Sequence, residues 1–436
     1  MPAFDLTLSP GVTTQVEVDD DNLLFYARHR RTVEIPDQTA VIQDAFWRPI
    51  GTGRLEELLT PDQSVVIMVD DGTRPTPAAK ILPLILERIE KVGIPDEQVL
   101  VFMGLGTHRP MTETELCRKL GDEVRERYRV INRDYRDGDF VELGETESGT
   151  PIEISREIIE ADFRVAVGNV MPHLSAGWGG GSKMLLPGVC SKNTTDMMHL
   201  MACISQPVLE VLGTRDNKSR AEMDAIAEKV GLDFIVNTVM DEDKNVLGVY
   251  AGHFIEAHRK AVELAEELMV VTIPAQADIL IVSANPCYFD YWQGVKPYMY
   301  AHRAVREGGV MIFLLDGTEG LCGDAPSHDA TLRKCLLWSF EDQKAAADHG
   351  EVEDLVGLNV PMYHAMVRHR VAKTILVTNH LSQEDTDALG FDSAPDVQSA
   401  LEWAYDILGP DARVGIIPYG GETLTKVEAH SSWLSD

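Results

Sequence analysis

SVVIMVDDGTRPTP, residues 64–77, sets a run of apolar residues against a loop bearing two carboxylates, hydroxyls and a guanidinium. A run this short and this apolar reads as a strand, Ser64–Val69, buried on both faces. Behind the loop, Ala78–Val92 carries apolar residues at helical spacing and reads as a helix. The same alternation follows downstream. Gln98–Met103 is a second strand, leading into the loop GLGTHRP and a helix over Thr112–Tyr128, with Thr112 and Glu115 placed as a capping box. Phe163–Val167 is a third strand, leading into MPHLSAGWGGGSK. Strands alternating with helices imply an α/β fold with a mostly parallel sheet covered on both faces. Ligands of such sheets sit at the carboxyl ends of the strands, so the three loops are expected to meet on one edge.

A second alternation begins near residue 277. Asp278–Val282, Gly309–Leu315, Thr374–Val377 and Arg413–Ile417 read as strands, with helical patterns at about 295–307, 330–346, 359–371 and 396–408 between them. Glu256–Met269 reads as an amphipathic helix and 271–276 as a linker. The expected architecture is two α/β domains with mostly parallel sheets, an N-terminal cofactor-binding domain over 1–270 and a C-terminal one over 277–436, with the active site in the cleft between them.

The 436 residues are 44% hydrophobic and 25% charged, ordinary for a globular protein. A net charge of −31 disfavours contact with a phosphate backbone, so no nucleic-acid partner is expected. No apolar run approaches the roughly 20 residues needed to cross a bilayer, and Met-Pro-Ala-Phe-Asp does not open a signal peptide. The six cysteines include no Cys-x-x-Cys pair and read as thiols in a reducing compartment, so the expected location is cytoplasmic, with no membrane partner.

The three loops carry the chemistry. Arg74, after Asp70, Asp71 and Thr73, suits a bidentate grip on carboxylate or phosphate. The alternative for this loop is a helix start, with Thr76 as N-cap and Pro77 at the first helical position. His108 follows a strand within a Gly-rich turn, and an imidazole suits proton transfer near neutrality. In the third loop Gly179, Gly180 and Gly181 allow backbone N–H groups to approach an anion closely. A Walker A loop fails here, because Ser182 separates the last glycine from Lys183 and Met184 stands where a magnesium-binding hydroxyl belongs. What survives is a phosphate-cradling loop beside a lysine able to serve as a covalent anchor. His199, in a helix over Thr194–Met201, reads as a packed helix-end histidine or as a metal ligand. Gln293 and Lys296 are three apart and share a helix face, with a surface lysine as the plain alternative.

Together the DDGTRPTP loop, the GTHRP loop, the PH-x3-G-x-GGG-x-K segment ending at Lys183, the following His199 and the Gln293/Lys296 pair resemble the nickel-dependent lactate racemase family. The resemblance covers most of the chain. It implies an isomerase, a racemase or epimerase of a small 2-hydroxy acid acting by reversible hydride transfer through a 2-keto acid. It also implies a nickel-pincer nucleotide cofactor, a nickel pyridinium-3,5-bisthiocarboxylic acid mononucleotide, attached covalently at Lys183 and supplied by cofactor-maturation proteins. His199 matches the nickel ligand. Asp71, Thr73 and the Gly179, Gly180 and Gly181 backbone match the cofactor surroundings. His108 and His173 match the two catalytic bases, and Arg74, Gln293 and Lys296 the groups that hold substrate, with Trp292 beside them. Trp292 stands where the family's lactate enzyme has Tyr, and no Trp occurs in Asn359–Arg370, where that enzyme has one lining its pocket. The altered wall points to a larger, aromatic or more polar acid, with Tyr363 and His364 as contacts or as ordinary helix packing. Two rival readings are a zinc-type proton-transfer racemase or hydrolase built on His108, His173 and His199, and a phosphate sensor built on the Gly-rich loop.

Overall fold

The computed structural model describes residues 1–30, 35, 37–204, 211–323 and 325–428. The chain forms two compact units, one of Arg31–Glu267 and one of Met1–Arg30 with Leu268–Asp436.

The Arg31–Glu267 unit is built on a six-stranded sheet in the order Val246–Gly252, Phe234–Met240, Phe163–Asn169, Val65–Asp70, Val99–Gly104, Arg129–Ile131. Every neighbouring pair is parallel except the first, which is antiparallel. Val65–Asp70 lies inside the sheet and is buried at every residue, which is why its sequence shows no alternation. Val65, Ile67 and Val69 face a core shared with Ile81, Ile85 and Ile89 of the Ala78–Val92 helix. Val66 and Met68 face the opposite core, with Ile158, Met184 and Ile226. Each such buried side chain stabilises the unit by about 1.5–3 kcal/mol.

Register fixes where the loops emerge. Asp70 pairs with Gly104, and Val69 with both Met103 and Val167. The chain therefore leaves the sheet after Asp70, Gly104 and Asn169 at the same edge, as the alternation of strands and helices requires. The helix expected over Thr112–Tyr128 is two helices, Glu113–Leu120 and Asp122–Arg127, parted at Gly121, whose N–H closes the first onto Cys117. The capping box of Thr112 and Glu115 is present. Phe234–Met240 and Val246–Gly252 were not among the expected strands, although they complete this sheet.

The second unit has a six-stranded, wholly parallel sheet in the order Asp392–Ser393, Lys373–Val377, Val305–Leu314, Ala277–Ser283, Val414–Ile417, Leu23–Tyr26. Here the domain boundaries read from sequence need correction. Leu23–Tyr26 forms the edge strand beside Val414–Ile417, and Leu6, Leu8, Val16 and Val18 lie in a core with Ile279, Ile281 and Ile312. Residues 1–30 thus fold with the C-terminal half. Residues 271–276 are no simple linker either: Val270–Ile273 is a strand paired with Leu424–Val427. The pattern over 295–307 begins earlier, as the helix Tyr291–Ala301, because Asp290 accepts the Gln293 N–H and caps it. The pattern over 330–346 is interrupted into Asp329–Cys335 and Phe340–Asp348, the second capped by Ser339. No helix among the described residues is long and apolar enough to cross a membrane.

Candidate active site

The two adjacent aspartates at the end of the Val65–Asp70 strand do different work. Asp70 is buried; its Oδ2 accepts from the Asn169 N–H at 3.1 Å and from Thr76 Oγ1 at 2.5 Å. Its Oδ1 lies 2.7 Å from Lys119 Nζ. One carboxylate therefore ties together the ends of two neighbouring strands, the loop between strand and helix, and the Glu113–Leu120 helix. Thr76 is spent on this contact and is not the N-cap expected of it; Pro77 occupies that position without a side-chain bond.

Asp71 reaches the second loop instead. Its Oδ1 accepts from the Thr73 N–H at 3.2 Å and from Thr73 Oγ1 at 2.7 Å, and its Oδ2 lies 2.5 Å from His108 Nδ1. Arg74 Nη1 donates to Thr73 Oγ1 at 2.8 Å. Burial alone raises the Asp71 pKa, but the charge of His108, its hydrogen bond and Arg74 outweigh burial and hold the carboxyl well below the usual range. Whenever the His108 ring is neutral, Asp71 keeps its proton on Nδ1 and leaves the lone pair on Nε2, the arrangement of a general base oriented by a carboxylate. Arg109 of the same loop serves the helix behind it, pairing with Glu115 at 2.8 Å.

His173 lies in a two-residue ladder, Pro172–His173 against Gly177–Trp178, after the Phe163–Asn169 strand. The Ser175 N–H donates to His173 Nδ1 at 3.3 Å, and Ser175 Oγ is 3.2 Å from the same atom. Nδ1 of this ring is therefore the acceptor, and the neutral ring carries its proton on Nε2. The two histidines hold their protons on opposite nitrogens.

The Gly-rich loop is organised from behind. Arg220, fully buried, donates to Gly180 O and Ser182 Oγ at 3.2 Å each and to Trp178 O. Burial pushes the Arg220 pKa down to about 10. His258 Nε2 donates to Gly179 O at 2.8 Å, while Arg259 Nη1 donates to His258 Nδ1 at 3.1 Å. Burial and the Arg220 charge keep His258 well below its ordinary pKa, so the ring is neutral. The triple glycine follows from this packing. A Cβ at Gly180 falls 2.9 Å from Asn237 Oδ1, and one at Gly181 falls 2.9 Å from the His258 ring. Both backbones are also left-handed, at φ 74° and 60°. The Gly179 N–H already donates to Met171 O at 2.7 Å, and the Gly181 N–H to Asn237 Oδ1 at 2.9 Å. These two groups are thus committed inside the protein, so the loop is not the open row of amide donors that the glycines suggested.

Lys183 follows in a 3₁₀ turn, Gly181–Met184, and is half-buried. His199 sits in the Lys192–Ile204 helix, where its Nδ1 donates to Thr195 O at 2.8 Å. That bond places the lone pair of the neutral ring on Nε2, as in metal-ligating histidines held by a backbone carbonyl.

The remaining candidates belong to the other unit. Trp292, Gln293 and Lys296 occupy the first turns of Tyr291–Ala301, and Lys296 Nζ donates to Gln293 Oε1. The two polar residues share a face, as their spacing predicts. Trp292 stacks on His328 with ring centroids 4.8 Å apart and planes at 12°. His364 packs as a core residue: its Nδ1 is 2.6 Å from the Tyr291 hydroxyl, its ring lies among Tyr298 and Phe391, and burial pushes its pKa down to about 3. Tyr363 is likewise buried. The sequence reading missed Arg220, Asn237, His258 and His328. Each acts through a contact made only on folding, and none stands in a loop after one of the three motif-bearing strands.

Among the described residues no three His, Cys, Asp or Glu side chains come together as a metal site, so the zinc triad of His108, His173 and His199 is not formed. Residues 11–210 match the lactate racemase N-terminal domain and residues 272–424 the lactate racemase C-terminal domain. The chain is 29% identical over 395 residues to the lactate racemase of Thermoanaerobacterium thermosaccharolyticum, covering 88% of this chain and 90% of that one. It is 28% identical over 437 residues to the lactate racemase of Lactiplantibacillus plantarum, covering 98% and 100%. The lactate racemase apoprotein structure from T. thermosaccharolyticum superposes with a TM-score of 0.87 at 27% identity, over 98% of this chain and all of that one.

Proposed function

We propose, from the premise that the chain belongs to the lactate racemase family, that this isomerase is a cytoplasmic enzyme inverting the carbinol carbon of a 2-hydroxy acid. The observation that carries the reading is the buried Asp71–His108 pair at 2.5 Å, on the same sheet edge as the loop bearing His173. The α-hydrogen of a hydroxy carboxylate is a very weak acid, because its loss as a proton sets a second negative charge beside the carboxylate. Loss as hydride avoids that charge and leaves a planar 2-keto acid. His108 takes the hydroxyl proton of one enantiomer on Nε2; His173 serves the other through Nδ1, the nitrogen that carries its lone pair, on release of the Ser175 contacts. Each base contributes on the order of 10²–10⁴ in rate. Arg74, Lys296 and Gln293 are assigned to holding the substrate carboxylate, with Trp292 beside them.

The family's cofactor is a nickel-pincer nucleotide, and several residues of this chain suit it. His199 has the tautomer of a metal ligand through its bond to Thr195 O. Lys183 supplies an amine beside a loop held rigid by Arg220 and His258. Asp71 and Thr73 stand beside His108. The fit is weaker at Gly179 and Gly181, whose N–H groups are committed elsewhere, leaving Gly180 of the triple glycine for a phosphate. When bound, the group supplies a hydride acceptor. Intact-mass and metal analysis of protein made together with the cofactor-maturation proteins tests this. An adduct lost in Lys183→Ala, with nickel near one per chain, is expected. An unmodified chain that nevertheless racemises 2-hydroxy acids refutes the tethered-cofactor reading.

A further inference from the structure

His328 is 2% exposed, and its Nε2 has no hydrogen-bond partner. Its other nitrogen is well served: Nδ1 lies 2.8 and 2.9 Å from the two carboxylate oxygens of Asp354. Asp354 is itself fixed, because Oδ1 accepts the Gly357 N–H at 2.8 Å and caps the Leu355–Arg368 helix. The face of the ring is held by the Trp292 indole. Both rotations of the imidazole are therefore locked by a carboxylate on one edge and an aromatic plane on one face. The one nitrogen left over is buried and unsatisfied. A buried polar atom without a partner opposes folding, and native proteins keep few of them without a use.

The neighbour through which the ring is stacked is informative. Trp292 precedes Gln293, which accepts from Lys296 on the same turn. These are the residues assigned above to the substrate carboxylate. From this we infer that His328 is a specificity-determining residue that receives a hydroxyl of the substrate beyond the carbinol carbon. The inference rests on the racemase reading. With Nδ1 directed to Asp354, Nε2 is the one hydrogen-bonding atom of the ring left to satisfy, and a hydroxyl, which both donates and accepts, satisfies it whichever way the ring is protonated. A simple alkyl 2-hydroxy acid has no such group, whereas a 2,3-dihydroxy acid or longer polyhydroxy acid does. Asp354 acts through the ring, as a positioning residue.

The test compares lactate, glycerate and malate with matured protein and with His328→Phe, which keeps an aromatic ring against Trp292 but has no acceptor. The kcat/KM for glycerate relative to lactate is expected to fall about 10-fold to 100-fold in the variant. In wild-type protein labelled with ¹⁵N-histidine, the Nε2 resonance of His328 is expected to move with glycerate and not with lactate. Should His328→Phe fold poorly, His328→Gln, which retains an acceptor oxygen, provides the resonance assignment and should keep part of the preference for glycerate. An unchanged glycerate-to-lactate ratio together with an unmoved Nε2 resonance overturns the assignment. A preference for malate that vanishes in the variant also overturns it, by showing a carboxylate at this nitrogen instead of a hydroxyl. If matured wild-type protein racemises none of the acids, the racemase reading has failed, and the ¹⁵N titration still decides whether His328 meets a hydroxyl.

Discussion

Asp71→Asn isolates one of the two bases without removing it. In the native protein Asp71 Oδ1 takes both bonds from Thr73, and Oδ2 takes the Nδ1–H of His108. An asparagine that keeps its carbonyl on Thr73 turns its NH₂ toward His108. Nδ1 must then accept, so the proton moves to Nε2 and the basic lone pair is lost from the reacting side. A misplaced tautomer removes the general-base contribution, about 10²–10⁴ in rate. Two enantiomers have equal free energies, so kcat/KM must fall equally in both directions whichever base is impaired. Steady-state racemisation therefore cannot tell His108 from His173. Single turnovers can: each pure enantiomer is mixed with excess matured enzyme, acid-quenched, and assayed for 2-keto acid. Asp71→Asn should slow keto-acid formation from one enantiomer by the full factor and leave the other within about 3-fold, where no general-base contribution is lost. Equal slowing of both half-reactions, or of neither, would refute the two-base argument.

Three further outcomes follow from the same geometry. The Asp71 carboxyl is depressed on folding, so it adds stability above the unfolded value of about 3.9, and that stability is lost as pH falls through the folded value. Thermal melts below pH 4 should accordingly show a shallower acid decline in Asp71→Asn than in wild type. Asp70→Asn breaks a buried ion pair with Lys119 and should cost about 3–5 kcal/mol in urea unfolding, whereas Asp44→Asn, at an exposed pair with Arg48, should cost less than about 1 kcal/mol. Gly181→Ala sets a methyl 2.9 Å from the His258 ring at φ 60° and should destabilise by about 1–3 kcal/mol, with loss of the adduct at Lys183 in intact mass.

The local code was enough for much of this protein. Five consecutive apolar residues, too short a run for a helix and closed by the turn-rich DDGTRPTP, read as a strand covered on both faces, and Thr112 with Glu115 can cap a helix without help from elsewhere. Three such strands in one parallel sheet bring their loops to one edge, so the emergence of the loops bearing Asp71, His108 and His173 at that edge was legible before any coordinates. Tertiary structure decided what depends on partners distant in sequence. Leu23–Tyr26 is four residues long and becomes a strand only because Val414–Ile417 offers it an edge, which is why residues 1–30 join the C-terminal half. The glycines before Lys183 looked like an anion cradle, because sequence cannot show that Asn237 and Met171 already hold two of the N–H groups. The protonation pattern of the two histidines was equally invisible. It is set by which atom reaches each Nδ1, a carboxylate 37 positions away for His108 and a backbone N–H two positions away for His173. Hydrophobic periodicity is a property of neighbours along the chain; hydrogen-bond satisfaction is a property of neighbours in space.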